Sequence, residues 1–147
     1  MTVHNVRDEE SYKRFLEYVT ESGLEPEIRT ICRRHAVTLR DIYLDVRGPT
    51  VYAARLEVWW WLASAYRKST SEIGRLFDRE ATSVLYAIRR LREASIAMGI
   101  ELDAGTAHDM AKRISEKITK VRSEQGVQHA QRMTQARLKK TSGNDEP

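Results

Sequence analysis

Four histidines, one cysteine and 18 arginines are the residues of this 147-residue chain whose types could do chemistry. His4, His35, His108 and His129 are scattered, and His108 with Asp109 is merely an adjacent pair on one helix. Each is read as a satisfied surface or core imidazole rather than as a metal ligand or general base. There is no H-E-x-x-H, no Ser-His-Asp spacing and no carboxylate pair that the sequence places in a cleft. Cys32 permits neither an intramolecular disulfide nor a multi-cysteine zinc site, and it falls on an apolar helical stripe, so it is read as core. The expectation is a protein that is not an enzyme, with no catalytic residue, metal or cofactor. Arginine makes up 18 of 25 basic residues, and a guanidinium can hold a phosphate or a guanine edge with a rigid pair of donors. Genomic base composition accounts for arginine over lysine, but not for clustering. Residues 29–92 carry net +7, between a net −4 over residues 1–28 and a net +1 over residues 93–147. That middle segment implies a polyanionic partner.

The elements that must position these groups are helical, because apolar residues recur at helical spacing and the alternation of strands is absent over any useful length. The fold class is all-α, with enough apolar residues (41%) for one domain and a helical appendage. Tyr12, Phe15, Leu16 and Val19 form the stripe of an opening helix that should stop at Gly23. Pro26 opens a second helix with Ile28, Ile31 and Cys32 inward. Thr38 and Asp41 resemble a capping box for a short third helix, Leu39 to Leu44. Asp45 to Thr50 read as a loop with Arg47 at its centre, and Thr50 is expected to cap a long fourth helix through about Tyr66. Its inward side is expected to be Val51, Ala54, Val58, Leu62 and Ala65. Trp59, Trp60 and Trp61 span about 200° of it, so at least one should pack on the first helix or the C-terminal segment. Stacking on unpaired bases is the functional alternative for them. A further helix is expected from Ala107, with Met110, Ile114, Ile118 and Val121 on one face. The pattern weakens after Gly126, and residues 141–147 read as a disordered tail. The domains are therefore residues 1–25, 26–98 and 106–140, followed by that tail. The longest strongly apolar stretch, Val58 to Ala63, is far below the roughly 20 residues a membrane span needs, and the start MTVHNVRDEE is not a signal peptide. A cytoplasmic, nucleoid-associated protein is expected, with no membrane partner.

The segment STSEIGRLFDREATSVLYAIRRL, Ser69 to Leu91, carries the function. Ser69 and Glu72 make a capping box for a short helix with Ile73, Leu76 and Phe77 inward. Asp78 and Arg79 make the turn. Glu80 or Thr82 begins a longer helix that buries Val84, Ile88 and Leu91 and leaves Ser83, Tyr86, Arg89 and Arg90 toward solvent. Two short helices, a tight turn and a polar-to-basic outer face make a helix-turn-helix, against which an ordinary helical hairpin is the alternative.

The span from Ile28 to about Leu91 resembles the C-terminal DNA-binding domain of the bacterial replication initiator DnaA, a helical domain related to that of the Trp repressor. The resemblance covers 64 of the 147 residues. Its most specific parts are SEIGRLF, close to the family's S-x-x-E-I-G-x-x-F, and RE-x-TSV, similar to R-D-H-T-T-V; RRHAVTLRDI and DVRGPTVYAAR match the frame. The resemblance implies that Arg47 enters the minor groove and that Arg55 meets the DNA backbone. It implies that Arg79, Glu80, Thr82 and Ser83 face the major groove, with Arg79 and Thr82 governing sequence choice. Arg67, Lys68, Ser71, Tyr86, Arg89 and Arg90 complete the expected contact set. Ala81 stands in place of the family's histidine and Asp78 in place of a usual glycine pair, which implies a target diverged from the initiator's own box. No G-x-x-x-x-G-K-[ST] phosphate loop is present, so the chain is not the initiator itself.

Stand-alone domains of this kind resemble regulators associated with phages and gene transfer agents. The expected function is therefore a sequence-specific double-stranded DNA-binding transcriptional regulator, an activator that recruits RNA polymerase or another transcription factor through residues 107–140. The alternatives are a small terminase-like packaging subunit and a helical interaction module that does not bind DNA. Truncation after about residue 105 is expected to leave DNA binding intact and to abolish activation.

Overall fold

The computed structural model describes the backbone of residues 7–144 and the side chains through Arg137. The described residues are all-α: α1 (Glu9–Glu21), α2 (Glu25–Arg34), α3 (Leu39–Tyr43), α4 (Pro49–Ala65), α5 (Thr70–Phe77), α6 (Ala81–Met98) and α7 (Ala104–Asn144). No helix among them is long and apolar enough to cross a membrane. His4 and the end of the expected tail, residues 145–147, lie outside the described residues.

Local hydrogen bonds set most helix starts. Asp8, Thr38 and Ser69 each close a capping box, on Ser11, Asp41 and Glu72 respectively. α4 begins two residues earlier than a Thr50 cap would place it. Proline occupies its first turn, where no intrahelical N–H is needed, and Gly48 precedes it at φ +140°, a backbone region open to glycine. α7 also begins early, at Ala104, because the Asp103 carboxylate accepts from the amides of Gly105 and Thr106 at 2.8 Å each. It continues past Gly126 to Asn144, so residues 141–144 are helical rather than tail. One glycine costs about 1 kcal/mol in a helix, and the Gln, Ala, Arg and Lys around it favour helix.

Two compact units divide the chain, residues 1–115 and 116–147. In the first, α4 is the axle. Val51, Ala53, Ala54, Leu56, Val58, Trp59, Trp60 and Leu62 are all buried, so the helix is covered on nearly every side, while Ala65 is exposed. α1 belongs to this same core, through Phe15 and Val19. Phe15 stacks on Tyr43 at 4.7 Å and meets Phe77 at 4.9 Å, and Trp59 meets Phe77 edge-on at 5.9 Å. Trp61 is half-buried against Tyr66. Trp59 and Trp60 thus serve the core, and Trp61 is the partly exposed one of the three. The start of α7 is core as well: Ala107, Met110, Ala111 and Ser115 are buried, and the Ser115 hydroxyl donates to the Pro49 carbonyl. A cut at residue 105 would strip these groups from the core, so the boundary between core and appendage moves to Ser115. In the second unit, the described side chains other than Ile118 are exposed, Val121, Val127 and Met133 among them.

α5 and α6 are joined by Asp78, Arg79 and Glu80. Asp78 takes a left-handed conformation (φ 53°), and the Arg79 amide donates to the Gly74 carbonyl at 2.8 Å. The turn closes so tightly on α5 that a Cβ at Gly74 would stand 2.7 Å from the Arg79 carbonyl oxygen. Both groups are backbone, and neither can swing aside. Gly74→Ala should therefore lower unfolding free energy by about 1 to 3 kcal/mol in a denaturant titration. Gly126→Ala, with open space around it, should instead raise helical content by circular dichroism.

The cap carboxylates make a second prediction. Asp8, Glu72 and Asp103 are held below their ordinary values of 3.8, 4.5 and 3.8 chiefly by the backbone amides they accept from. A depressed folded-state value means a contribution that is present above the unfolded value and lost as pH falls through the folded one. Thermal stability should thus decline below about pH 4.5, which melting curves across pH 2 to 6 would show.

Candidate functional site

The outer face of α6 is built by helical spacing. Val84, Ala87, Ile88 and Leu91 are buried, which turns Thr82, Ser83, Tyr86, Arg89 and Arg90 outward, and all five are exposed. Arg89 lies over the Tyr86 ring at 5.8 Å, and Arg90 donates to the Tyr52 hydroxyl at 2.7 Å. Glu80 is the residue that precedes α6, and its side chain makes no cap hydrogen bond. Ser71 is exposed in the first turn of α5, and Arg67 (exposed) and Lys68 (half-buried) lie in the link before it. Arg47 is exposed in the loop between α3 and α4.

Arg55 and Arg79 lie elsewhere. Both guanidiniums turn inward onto the C-terminal end of α3, whose carbonyls have no partner within so short a helix. Arg55 donates to the carbonyls of Ile42 (2.9 Å), Asp41 (3.1 Å), Leu44 (2.6 Å) and Val46 (2.9 Å). Arg79 donates to Tyr43 (2.8 Å), Phe77 (2.6 Å) and Leu44 (3.1 Å). Burial lowers the Arg55 guanidinium from its usual range; it also pushes Arg79 down to about 10, helped by the positive charges of Arg55 and Arg7. Arg7 adds a third cation, paired with Asp45 and donating to the Asp78 carbonyl. The two arginines expected at the DNA backbone (Arg55) and at a base (Arg79) are thus directed to main-chain carbonyls in this structure. Their donors are already committed to main-chain carbonyls, and a long flexible side chain follows its partners rather than its helical register.

Further arginines of the basic segment are also spent internally. Arg29 pairs with Glu25, Arg40 with Glu9 and Arg34 with Glu57. The exposed cations on or near the α5–α6 pair are thus Arg47, Arg67, Arg75, Arg89, Arg90 and Arg92, with Lys68 half-buried.

The scattered histidines also prove to be partly gathered. His35, the residue that ends α2, reaches Glu57 Oε1 at 2.7 Å through Nε2, and His108 Nδ1 stands 3.5 Å from the same oxygen. The reading of His108 as a mere neighbour of Asp109 is revised accordingly. Glu57 was not singled out from the sequence, yet it carried a signal: it is the one charged residue inside the apolar run LEVWWWL, at helical spacing from inward Ala54. Cys32 is buried as expected, and burial pushes its thiol up to about 12, where it is inert as a nucleophile.

No family model, curated protein or solved structure matches the chain.

Removing Arg55 would take a donor from four carbonyls at once, of which Leu44 alone keeps a good second donor in Arg79. Arg55→Ala should cost about 2 to 4 kcal/mol of stability, whereas Arg47→Ala should change it by less than about 0.5 kcal/mol. Equilibrium unfolding of the two variants in parallel checks both values.

Proposed function

We propose that the chain is a sequence-specific double-stranded DNA-binding transcriptional regulator in which α5 and α6 act as a helix-turn-helix and α6 enters the major groove. The observation that carries this reading is the division of α6 itself. One stripe is fully buried, and the opposite stripe presents Thr82, Ser83, Tyr86, Arg89 and Arg90, a set able to contact thymine methyls, phosphates and guanine edges. Arg47 in the loop before α4 is the candidate for the adjacent minor groove, and Arg67, Lys68 and Ser71 for phosphates flanking α5. The DnaA-like resemblance supports the same docking, with one change. Arg55 and Arg79 position the reading face by holding α3 against the turn, and sequence choice falls to Glu80, Thr82, Ser83 and Tyr86. Activation through RNA polymerase or another transcription factor belongs to α7 beyond Ser115, whose side chains through Arg137 are nearly all exposed.

Binding to duplex DNA measured across salt concentrations tests the reading. About four phosphate contacts should give a log–log slope of about −4. A flat dependence, or no binding to a pool of genomic fragments, would overturn it. In a binding selection, Thr82→Ala should relax preference at one position and cost about 1 to 3 kcal/mol on the preferred site, while Arg67→Ala should weaken all sequences alike. A chain ending at Ser115 should keep its DNA affinity and lose reporter activation, a paired assay in which surviving output would place the partner surface elsewhere.

A further inference from the structure

We propose that His35, Glu57 and His108 form a binding site for one divalent transition-metal ion of borderline character, zinc first among them. The inference is independent of DNA binding. Glu57 is 1% exposed in the middle of the most deeply buried helix of the protein, where a lone carboxylate is costly unless cations or donors surround it. Three groups surround it. Arg34 Nη2 holds Oε2 at 3.0 Å, while Oε1 faces both imidazoles, whose ring centres are 4.3 Å apart. The three candidate donors, His35 Nε2, His108 Nδ1 and a Glu57 oxygen, all lie within 4.8 Å of one another.

The His108 nitrogen is what the internal hydrogen bonds leave over. Nδ1 is buried, at 3.5 Å it is too far from Oε1 for a good hydrogen bond, and it has no other partner among the described residues. His35 already occupies Oε1 at 2.7 Å, a contact that requires one shared proton between ring and carboxylate. A metal ion resolves the mismatch, because it takes a lone pair from all three groups. With bonds of about 2.1 Å, tetrahedral zinc separates its ligand atoms by about 3.4 Å. The pair at 3.5 Å already has that spacing, and the pair at 2.7 Å must open by less than 1 Å. On binding, the proton between His35 Nε2 and Glu57 is given up and His35 ligates as the neutral ring protonated at Nδ1: a proton is released to solvent if Nδ1 already carried its own, and otherwise the Nε2 proton is replaced by one at Nδ1 with no net release. Arg34 remains on the other carboxylate oxygen and fixes its orientation. The His108 side chain is 20% exposed, which gives the fourth coordination position a route to water. Two imidazoles and one carboxylate suit zinc, cobalt, nickel or copper rather than magnesium or calcium.

The three ligands come from the end of α2, the centre of α4 and the second turn of α7, so the ion would latch α7 onto the bundle. Arg34 already touches this junction, its second nitrogen reaching the Ala104 carbonyl at 3.4 Å.

The test uses the full chain after chelator treatment. Zinc titration by calorimetry should show one equivalent bound, and cobalt should give the visible d–d bands of a four-coordinate site. His108→Ala should weaken zinc by at least about 100-fold, and Arg34→Gln by about 10-fold to 100-fold, while His129→Ala on the exposed part of α7 should leave the affinity unchanged. Absence of one-to-one binding at 100 μM zinc would overturn the proposal, as would binding that His129→Ala abolishes and His108→Ala spares. Should His108→Ala fail to fold, imidazole nitrogen resonances of the unaltered protein decide. Zinc should shift those of His35 and His108, and unmoved signals at both would equally overturn the site.

Discussion

The C-terminal end of α3 is the point on which the packing of α3, α4 and the α5–α6 turn depends. A five-residue helix cannot satisfy its own last carbonyls, and burying them would cost more than the helix contributes. Arg55 from α4 and Arg79 from the α5–α6 turn meet that need from two directions, with five hydrogen bonds of 3.1 Å or shorter to Asp41, Ile42, Tyr43 and Leu44 and one each to the carbonyls of Val46 and Phe77. The same contacts therefore join the loop that carries Arg47, the long central helix and the start of α6. Two guanidiniums at close range repel, and Asp45 with Arg7 completes the local charge pattern. The arrangement holds because carbonyl oxygens at a helix C-terminus carry the negative end of its dipole.

This use of arginine changes what the net charge of the basic segment means. A net +7 over residues 29–92 suggests a continuous cationic surface, but Arg29, Arg34 and Arg40 are paired with carboxylates and Arg55 and Arg79 are turned inward. What remains outside is narrower and better defined. It is a stripe along α6, with Arg47 in one loop, Arg67 and Lys68 in another, and Arg33 and Arg75 on α2 and α5. The acidic first helix has a corresponding internal role, since Glu9 takes up Arg40 and Phe15 and Val19 complete the core.

The central helix separates two kinds of chemistry. Near its beginning, Arg55 serves the α3 carbonyls; a half-turn further on, Glu57 enters the interior and collects Arg34, His35 and His108. Both are long polar side chains in a helix that is otherwise apolar, and each is tolerated because its neighbours supply complementary groups. One cluster ties α3 to the start of α6, and the other meets the base of α7. The end of α3 and the start of α7 thus each meet a polar side chain of the same helix.

How much of this was legible beforehand follows from range. Helix spans, the capping boxes at Thr38 and Ser69, the buried stripe of Val84, Ile88 and Leu91 and the exposed stripe beside it all depend on residues three or four positions apart. Local hydrogen bonds and helical periodicity decide such features, and both are written directly in the chain. The destinations of Arg55 and Arg79 were not, because their carbonyl partners lie up to 36 residues away and a guanidinium reaches several ångströms from its own backbone. The meeting of His35, Glu57 and His108 was hidden for the same reason, its members coming from three helices whose packing no spacing rule encodes. The division of α7 was equally a tertiary outcome: Ala107, Met110, Ala111 and Ser115 are buried in the core of the first unit, with the Ser115 hydroxyl on the Pro49 carbonyl of α4, whereas Val121, Val127 and Met133 are exposed.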